Sequence, residues 1–263
     1  MVTIRNYVRP STLEEAWKLN QAKSNRVVGG MMWMRLSNGN VNTAIDLCDL
    51  GLDKIEETET EFSIGAMVTL RQLELCEAIN RYTNHAVRDA VKDIVGTQFR
   101  NMATIGGSIF GRFGFSDVLT VFLGLDTYVE LYKGGIVSLE EFAKMKRDKD
   151  ILVRIIVKKT PVQICYKTMR IAKTDFPVIA CAVSWVQDEF RAVVGARPQR
   201  AMVIRREGLG LPKELTEEEV LAAASYVAEA VPVGSNMRGS SEYRTHLIKV
   251  LVKRAILEIG GKN

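Results

Sequence analysis

The stretch FRNMATIGGSIFGRFGFSDVLTVFLGLD, Phe99–Asp126, decides how the rest of the chain is read. A Gly-Gly pair, Gly106-Gly107, follows Thr104 and Ile105. Gly111 and Gly114 come soon after, and an apolar run opens at Ser116. Glycine lets backbone approach a ligand closely because no Cβ stands in the way. Thr104 and Ser108 flank the pair with hydroxyls able to hydrogen-bond phosphate or sugar oxygens. A glycine-rich loop ahead of a helix N-terminus is a common way to hold an anion. The plainer alternative is a surface turn between two helices, since glycine-rich turns are common.

A second pair tips that choice. Gly29-Gly30 runs straight on from the short apolar strand Arg26–Val28 and leads into Met31, Met32, Trp33 and Met34. Neither pair has the spacing of a dinucleotide-binding G-x-G-x-x-G or the Lys-Ser/Thr ending of a P-loop. Two separate loops rich in backbone donors suit a ligand with two linked phosphates, because each offers N–H groups without side-chain charge.

Composition narrows the classes. With 263 residues, 47% hydrophobic and 25% charged, the chain can bury a real core as one large domain or two of ordinary size. Lys and Arg number 36 against 31 Asp and Glu, an excess of 5 that is too even for a nucleic-acid surface. The nearest basic cluster, Lys144, Lys146, Arg147 and Lys149, alternates with Asp148 and Asp150 and reads as a solvated turn. Four cysteines, Cys48, Cys76, Cys165 and Cys181, lack the short spacing of a zinc or iron–sulfur site and read as buried reduced thiols. His85 and His246 stand alone, so no metal site is expected. The N-terminus lacks the apolar core of a signal peptide. The longest apolar run, Phe176 to Val186, is too short to span a bilayer. A soluble, cytoplasmic protein without membrane insertion is expected.

Along the chain, Val2–Tyr7 reads as a strand, and Ser11 with Glu14 as a capping box for a helix. Arg26–Val28 and Ala44–Leu47 read as strands, with a short helix between them after Gly30. Residues 84–95 carry one apolar helical face. Ser116 caps a helix through Leu125, Gly134-Gly135 turns a hairpin, and Ser138 with Glu141 caps another helix. From Asp150 the texture changes to consecutive strands, 151–157, 162–170, 178–186 and 190–194, whose short connections predict antiparallel pairing. Thr216 with Glu219 opens one helix, and Ser240 or Ser241 opens a long last one.

Four motifs in this order resemble the FAD-binding subunit of the molybdenum hydroxylases, the family of xanthine, carbon monoxide and nicotinate dehydrogenases. They are Val28-Gly29-Gly30-Met31-Met32, Arg100 to Gly107, Ser116-Asp117, and a stretch with Arg238, Ser240 or Ser241, Tyr243, Arg244, His246 and Leu247. Order and spacing agree from about residue 2 to 260. The resemblance implies an α+β chain: a two-subdomain FAD-binding domain of the vanillyl-alcohol-oxidase (PCMH) type over 1–160, divided at about 53/54. An α+β domain over 161–263, with an antiparallel sheet and helices, would follow.

The same resemblance implies roles. Val28, Gly29, Gly30, Met31, Met32 and Trp33 would wrap the FAD pyrophosphate with main-chain N–H groups. Thr104, Gly106, Gly107 and Ser108 would clamp the diphosphate and ribityl chain. Asp117 would accept from sugar or ribityl hydroxyls, Leu152 would meet the cofactor through its backbone, and Lys167 and Arg170 would lie near the isoalloxazine. Met31 departs from the family, which usually has a hydroxyl residue there. No acid–base catalytic residue is implied, because the flavin carries the chemistry. A molybdopterin-binding large subunit and a 2Fe-2S small subunit would be partners, with electrons passing through FAD to NAD(P)+ or another acceptor. Such a chain would be inactive on the organic substrate alone. A stand-alone FAD-dependent oxidase, and a scaffold subunit that has lost FAD, are the competing readings.

Overall fold

The computed structural model describes residues 1–261, so the last two residues of the 161–263 span lie outside it. The chain opens with β1 (Thr3–Val8), α1 (Leu13–Asn20), β2 (Arg26–Val28) and β3 (Asn40–Asp46). Two strands, β4 (Ile55–Glu57) and β5 (Glu61–Gly65), lead into short helices α2 (Leu70–Leu75), α3 (Glu77–Tyr82), α4 (Ala86–Val91) and α5 (Thr97–Arg100). After α6 (Ile105–Gly111) and α7 (Asp117–Leu123) come β6 (Thr127–Leu131), β7 (Gly135–Ser138), α8 (Leu139–Lys144) and β8 (Leu152–Lys158). Four strands, β9 (Val162–Arg170), β10 (Pro177–Val186), β11 (Glu189–Gly195) and β12 (Met202–Arg205), precede α9 (Glu217–Ala230) and α10 (Ser241–Ile259).

These elements form two compact units that do not follow chain order. The first takes residues 1–72, 97–111 and 127–157; the second takes 73–96, 112–126 and the chain from 158 onward. In the first unit, β1, β3 and β2 make a parallel sheet with β3 in the middle. Helix α1 carries the chain from β1 across to β2 on the other side of β3, the crossover that parallel strands require. Its Ala16 is buried with Ile45 and Leu47 of the sheet side and Ile151. The other sheet has the order β4-β5-β8-β6-β7.

In the second unit, β12-β11-β10-β9 is antiparallel throughout. All ten residues of β10 are buried, so this central strand is covered on both faces. On one face α9 and α10 contribute Val227, Leu251 and Ala255 to a core shared with Cys181, Val183 and Trp185. On the other, α7 lies so close that a Cβ at Gly195 would sit 2.1 Å from Thr120 Oγ1.

Caps explain most boundaries. Ser116, Ser138, Thr216 and Ser240 each accept a hydrogen bond from the backbone N–H three residues on, and Thr216 with Glu219 completes a capping box. Several expectations need correction. Thr12, not Ser11, caps α1, and Ser11 bonds Glu15 instead of Glu14. The expected helix over 84–95 shrinks to Ala86–Val91, because Asn84, His85 and Val95 adopt positive φ of 45°, 66° and 49°. Strand 151–157 pairs with β6 rather than with the later strands. Cys48, expected buried, is exposed.

Candidate functional site

The two Gly-Gly pairs meet in the first unit. A Cβ on Gly30 would stand 1.7 Å from the Met102 carbonyl oxygen and 2.9 Å from the Ala103 nitrogen. One on Gly29 would stand 2.6 Å from Thr104 Oγ1. Nothing larger than glycine fits where the loop after β2 presses on residues 102–104. Segment 103–106 is tied in turn to segment 66–70: the N–H groups of Leu70, Ile105 and Gly106 donate to Ala103, Val68 and Ala66 at 2.8, 2.8 and 2.9 Å.

Gly106-Gly107 is not a loop, as the sequence suggested, but the first turn of α6. Thr104 caps that turn by accepting from Gly107 N at 3.1 Å, and Ser108 Oγ donates to Thr104 O at 3.1 Å. The two glycines differ. A Cβ on Gly106 would lie 2.5 Å from the Ala66 oxygen, so Gly106 is a packing requirement. Gly107 is exposed, and a Cβ there would meet only Thr104 Oγ1 at 3.2 Å.

The loop after β2 keeps its donors. Met31 holds φ at 57°, a left-handed conformation that costs a non-glycine residue about 1 kcal/mol. Turns of this kind gather successive N–H groups into anion-binding concavities. Among the described residues the N–H groups of Gly30, Met31 and Met32 donate to no carbonyl or side chain, whereas Met31 O accepts from Arg35 N at 3.1 Å. Uncommitted backbone donors next to an exposed glycine fit an anionic, phosphate-bearing group, and the Met31 side chain is not needed for that. Val28 and Met32 are buried, Trp33 is exposed, and Leu152 is buried at the start of β8 opposite Leu131.

The second unit holds a site of another kind. Asp117, the first residue of α7, is buried, and its Oδ1 accepts from Tyr166 Oη and, at 2.7 Å, from Arg170 Nη2. The side chains of Arg170 and Asp117 are 7% and 6% exposed, so this is a buried ion pair. Burial pushes the Asp117 carboxyl up from its usual range, against the pull of Arg170 and the Tyr166 hydroxyl. Burial, with the Asp117 charge beside it, pushes the Tyr166 hydroxyl well up, so it stays a donor. Arg170 also donates through Nη1 to Asp175 O, while its buried Nε has no partner among the described residues.

Lys167 and Arg170 do not come together. Successive side chains of a strand alternate, so positions three apart face opposite ways. Lys167 and Cys165 point to Glu258 of α10; Tyr166 and Arg170 point to Asp117 of α7. Burial raises and Lys167 and Cys165 lower the Glu258 carboxyl, for a net depression. Tyr166 carried no sequence signal, since its partner Asp117 lies 49 residues away.

The C-terminal motif is structural. Arg244 is 1% exposed and donates to Val178 O at 2.9 Å, Gly234 O at 2.7 Å and Asn236 Oδ1 at 2.6 Å, pinning the turn before α10. Phe113 stacks on Phe115 at 5.3 Å, Phe115 meets Phe176 at 4.6 Å, and Arg238 lies 5.0 Å over Phe176. Among the described residues no group of three or more His, Cys, Asp or Glu could hold a metal ion, and no helix is long and apolar enough to cross a membrane.

Residues 2–160 match the family described as the FAD binding domain in molybdopterin dehydrogenase. The chain belongs to this family. Behind this FAD-binding domain, residues 164–259 match the CO dehydrogenase flavoprotein C-terminal domain. Uncharacterized protein YgfM of Escherichia coli (strain K12) is 28% identical over 95% of this chain and 94% of its own. The glyceraldehyde dehydrogenase medium chain of Sulfolobus acidocaldarius is 27% identical over 97% of this chain and 98% of its own. Carbon monoxide dehydrogenase of Hydrogenophaga pseudoflava superposes with a TM-score of 0.86 at 22% identity, covering 99% of this chain and 98% of that one. That likeness shows the fold, an FAD-binding α+β domain followed by a C-terminal sheet domain. The chain is an oxidoreductase-family FAD subunit of the molybdenum hydroxylase type.

Proposed function

We propose that this chain is the electron-relay subunit of a cytoplasmic molybdopterin-dependent dehydrogenase, paired with a molybdopterin-binding large subunit and a 2Fe-2S small subunit. FAD, when bound, would supply the relay from the partner's iron–sulfur clusters to NAD(P)+ or another acceptor. The observation that carries this reading is the steric lock of Gly29 and Gly30 on residues 102–104 beside uncommitted N–H groups. It supports a backbone-built seat for a diphosphate.

In the first unit, residues 28–33 hold the pyrophosphate through main-chain N–H groups, Met31 included. Gly107 offers an open backbone face there, Thr104, Gly106 and Ser108 shape the turn that carries it, and Leu152 contributes backbone. In the second unit, Asp117 accepts from ligand hydroxyls, Arg170 places a positive charge beside it, and Lys167 serves the α10 side. The span 1–160, with a division at about 53/54, acts as the FAD-binding domain, and 161–263 as its C-terminal companion. No residue here needs to move a proton for the relay.

The family relationship, and a relative matched over 98% of its own length that is named as a dehydrogenase medium chain, support this assignment. Affinity purification of the chain from its native cell tests it. Large and small subunits should copurify with flavin, and the isolated chain should not be bleached by the organic substrate that bleaches the complex. Substrate-driven bleaching of the chain alone would favour a stand-alone oxidase. Absence of flavin and of FAD uptake would favour a scaffold.

A further inference from the structure

The cluster at the start of α7 contains one residue more than its proposed function needs. Tyr166 is 4% exposed, and its hydroxyl is spent on Asp117 Oδ1. A buried tyrosine hydroxyl needs a partner, but a backbone carbonyl serves that need as well as a carboxylate does. Here the partner is a carboxylate already paired with Arg170. Both donated side-chain bonds land on the same oxygen, and Oδ2 accepts none from a side chain among the described residues. The Arg170 Nε, buried, is likewise uncommitted. Oδ2 is thus the carboxylate oxygen left without a side-chain donor.

The supports are rigid. Tyr166 sits in mid-strand opposite Ala182 of β10, and Arg170 opposite Pro177 at the strand end. Asp117 is fixed by its place behind the Ser116 cap, which accepts from Leu119 N at 3.1 Å. A carboxylate with one oxygen locked from two directions cannot rotate to satisfy itself elsewhere. A ligand hydroxyl can donate to Oδ2, whereas the buried Arg170 Nε plays no part in that contact.

We propose that Tyr166 is a positioning residue of the flavin site: with Arg170 it locks Asp117 Oδ1, so that Oδ2 alone is presented to a ribityl or sugar hydroxyl. This rests on the reading of Asp117 as a hydroxyl acceptor for FAD. It excludes Lys167, on the opposite face of β9, from the same cluster.

The test is an FAD titration of the full-length apo chain, read by quenching of flavin fluorescence, with Tyr166→Phe, Asp117→Asn and the double variant. The thermal midpoint of each apo protein is measured alongside. Tyr166→Phe should weaken FAD binding about tenfold, the scale of one hydrogen bond to a charged group. In the double variant the Tyr166 change should add nothing to the loss caused by Asp117→Asn, because Tyr166 acts only through that carboxylate. A purely structural tyrosine would lower the midpoint and give losses that add. Wild-type-like affinity in Tyr166→Phe, or additive losses, overturns the proposal while FAD binding by the wild type stands. Failure of the wild type itself to bind FAD overturns the reading beneath it. If Tyr166→Phe does not fold, Arg170→Gln replaces it, with the same non-additivity expected and the same additive result contradicting it.

Discussion

The Gly-Gly seat of the first unit and the Asp117 cluster of the second, each proposed above to meet part of FAD, are made of opposite materials. The first is built from main chain. Its specificity lies in what is missing, the Cβ atoms at Gly29 and Gly30 that would strike Thr104 and Met102. The second is built from side chains, with a buried ion pair and a tyrosine hydroxyl converging on one oxygen. A seat of main-chain donors tolerates a change of side chain, so Met31 needs no phosphate-bonding group of its own. A side-chain cluster tolerates none, because every member leaves a buried partner behind.

The sharpest way to break that contrast is Arg170→Ala. It strands the Asp117 carboxylate in a buried site and should cost about 3–5 kcal/mol in urea unfolding. A cost under 1 kcal/mol would mean the cluster is not the rigid charge pair described. Gly30→Ala comes next. The Met102 carbonyl is backbone and cannot swing aside, so about 3 kcal/mol of destabilisation is expected by the same measurement. Gly107→Ala separates packing from binding: stability should stay within about 0.5 kcal/mol, while FAD affinity falls because the exposed face is filled. Equal effects at Gly30 and Gly107 would erase the distinction between them. Lys167→Met should do least. Its ion pair with Glu258 is partly exposed and worth about 0.5 kcal/mol, and FAD affinity should not change.

The sequence shows one of these materials and hides the other. Glycine pairs are visible as text, and their sterics follow from the missing Cβ alone. The caps Ser116, Ser138, Thr216 and Ser240 are equally legible, because a cap and its N–H partner are three residues apart. The helical state of Gly106-Gly107 was not legible. Glycine has poor helix propensity, and α6 is held by segment 66–70 instead. Nor was the divergence of Lys167 and Arg170, which look like neighbours along the chain until strand alternation separates them. Tyr166 was invisible because its role depends on a helix 49 residues upstream.

The backbone seat is proposed to hold FAD, and loading of the whole protein puts that to the test. FAD is added to the purified full-length apo protein, and the flavin absorbance is recorded after gel filtration. One flavin should be retained per chain by the wild type and by Met31→Ala alike, with retention lost in Gly30→Ala. A wild type that emerges colourless, or a Met31→Ala variant that loses flavin while Gly30→Ala keeps it, would rule out a backbone-built FAD seat.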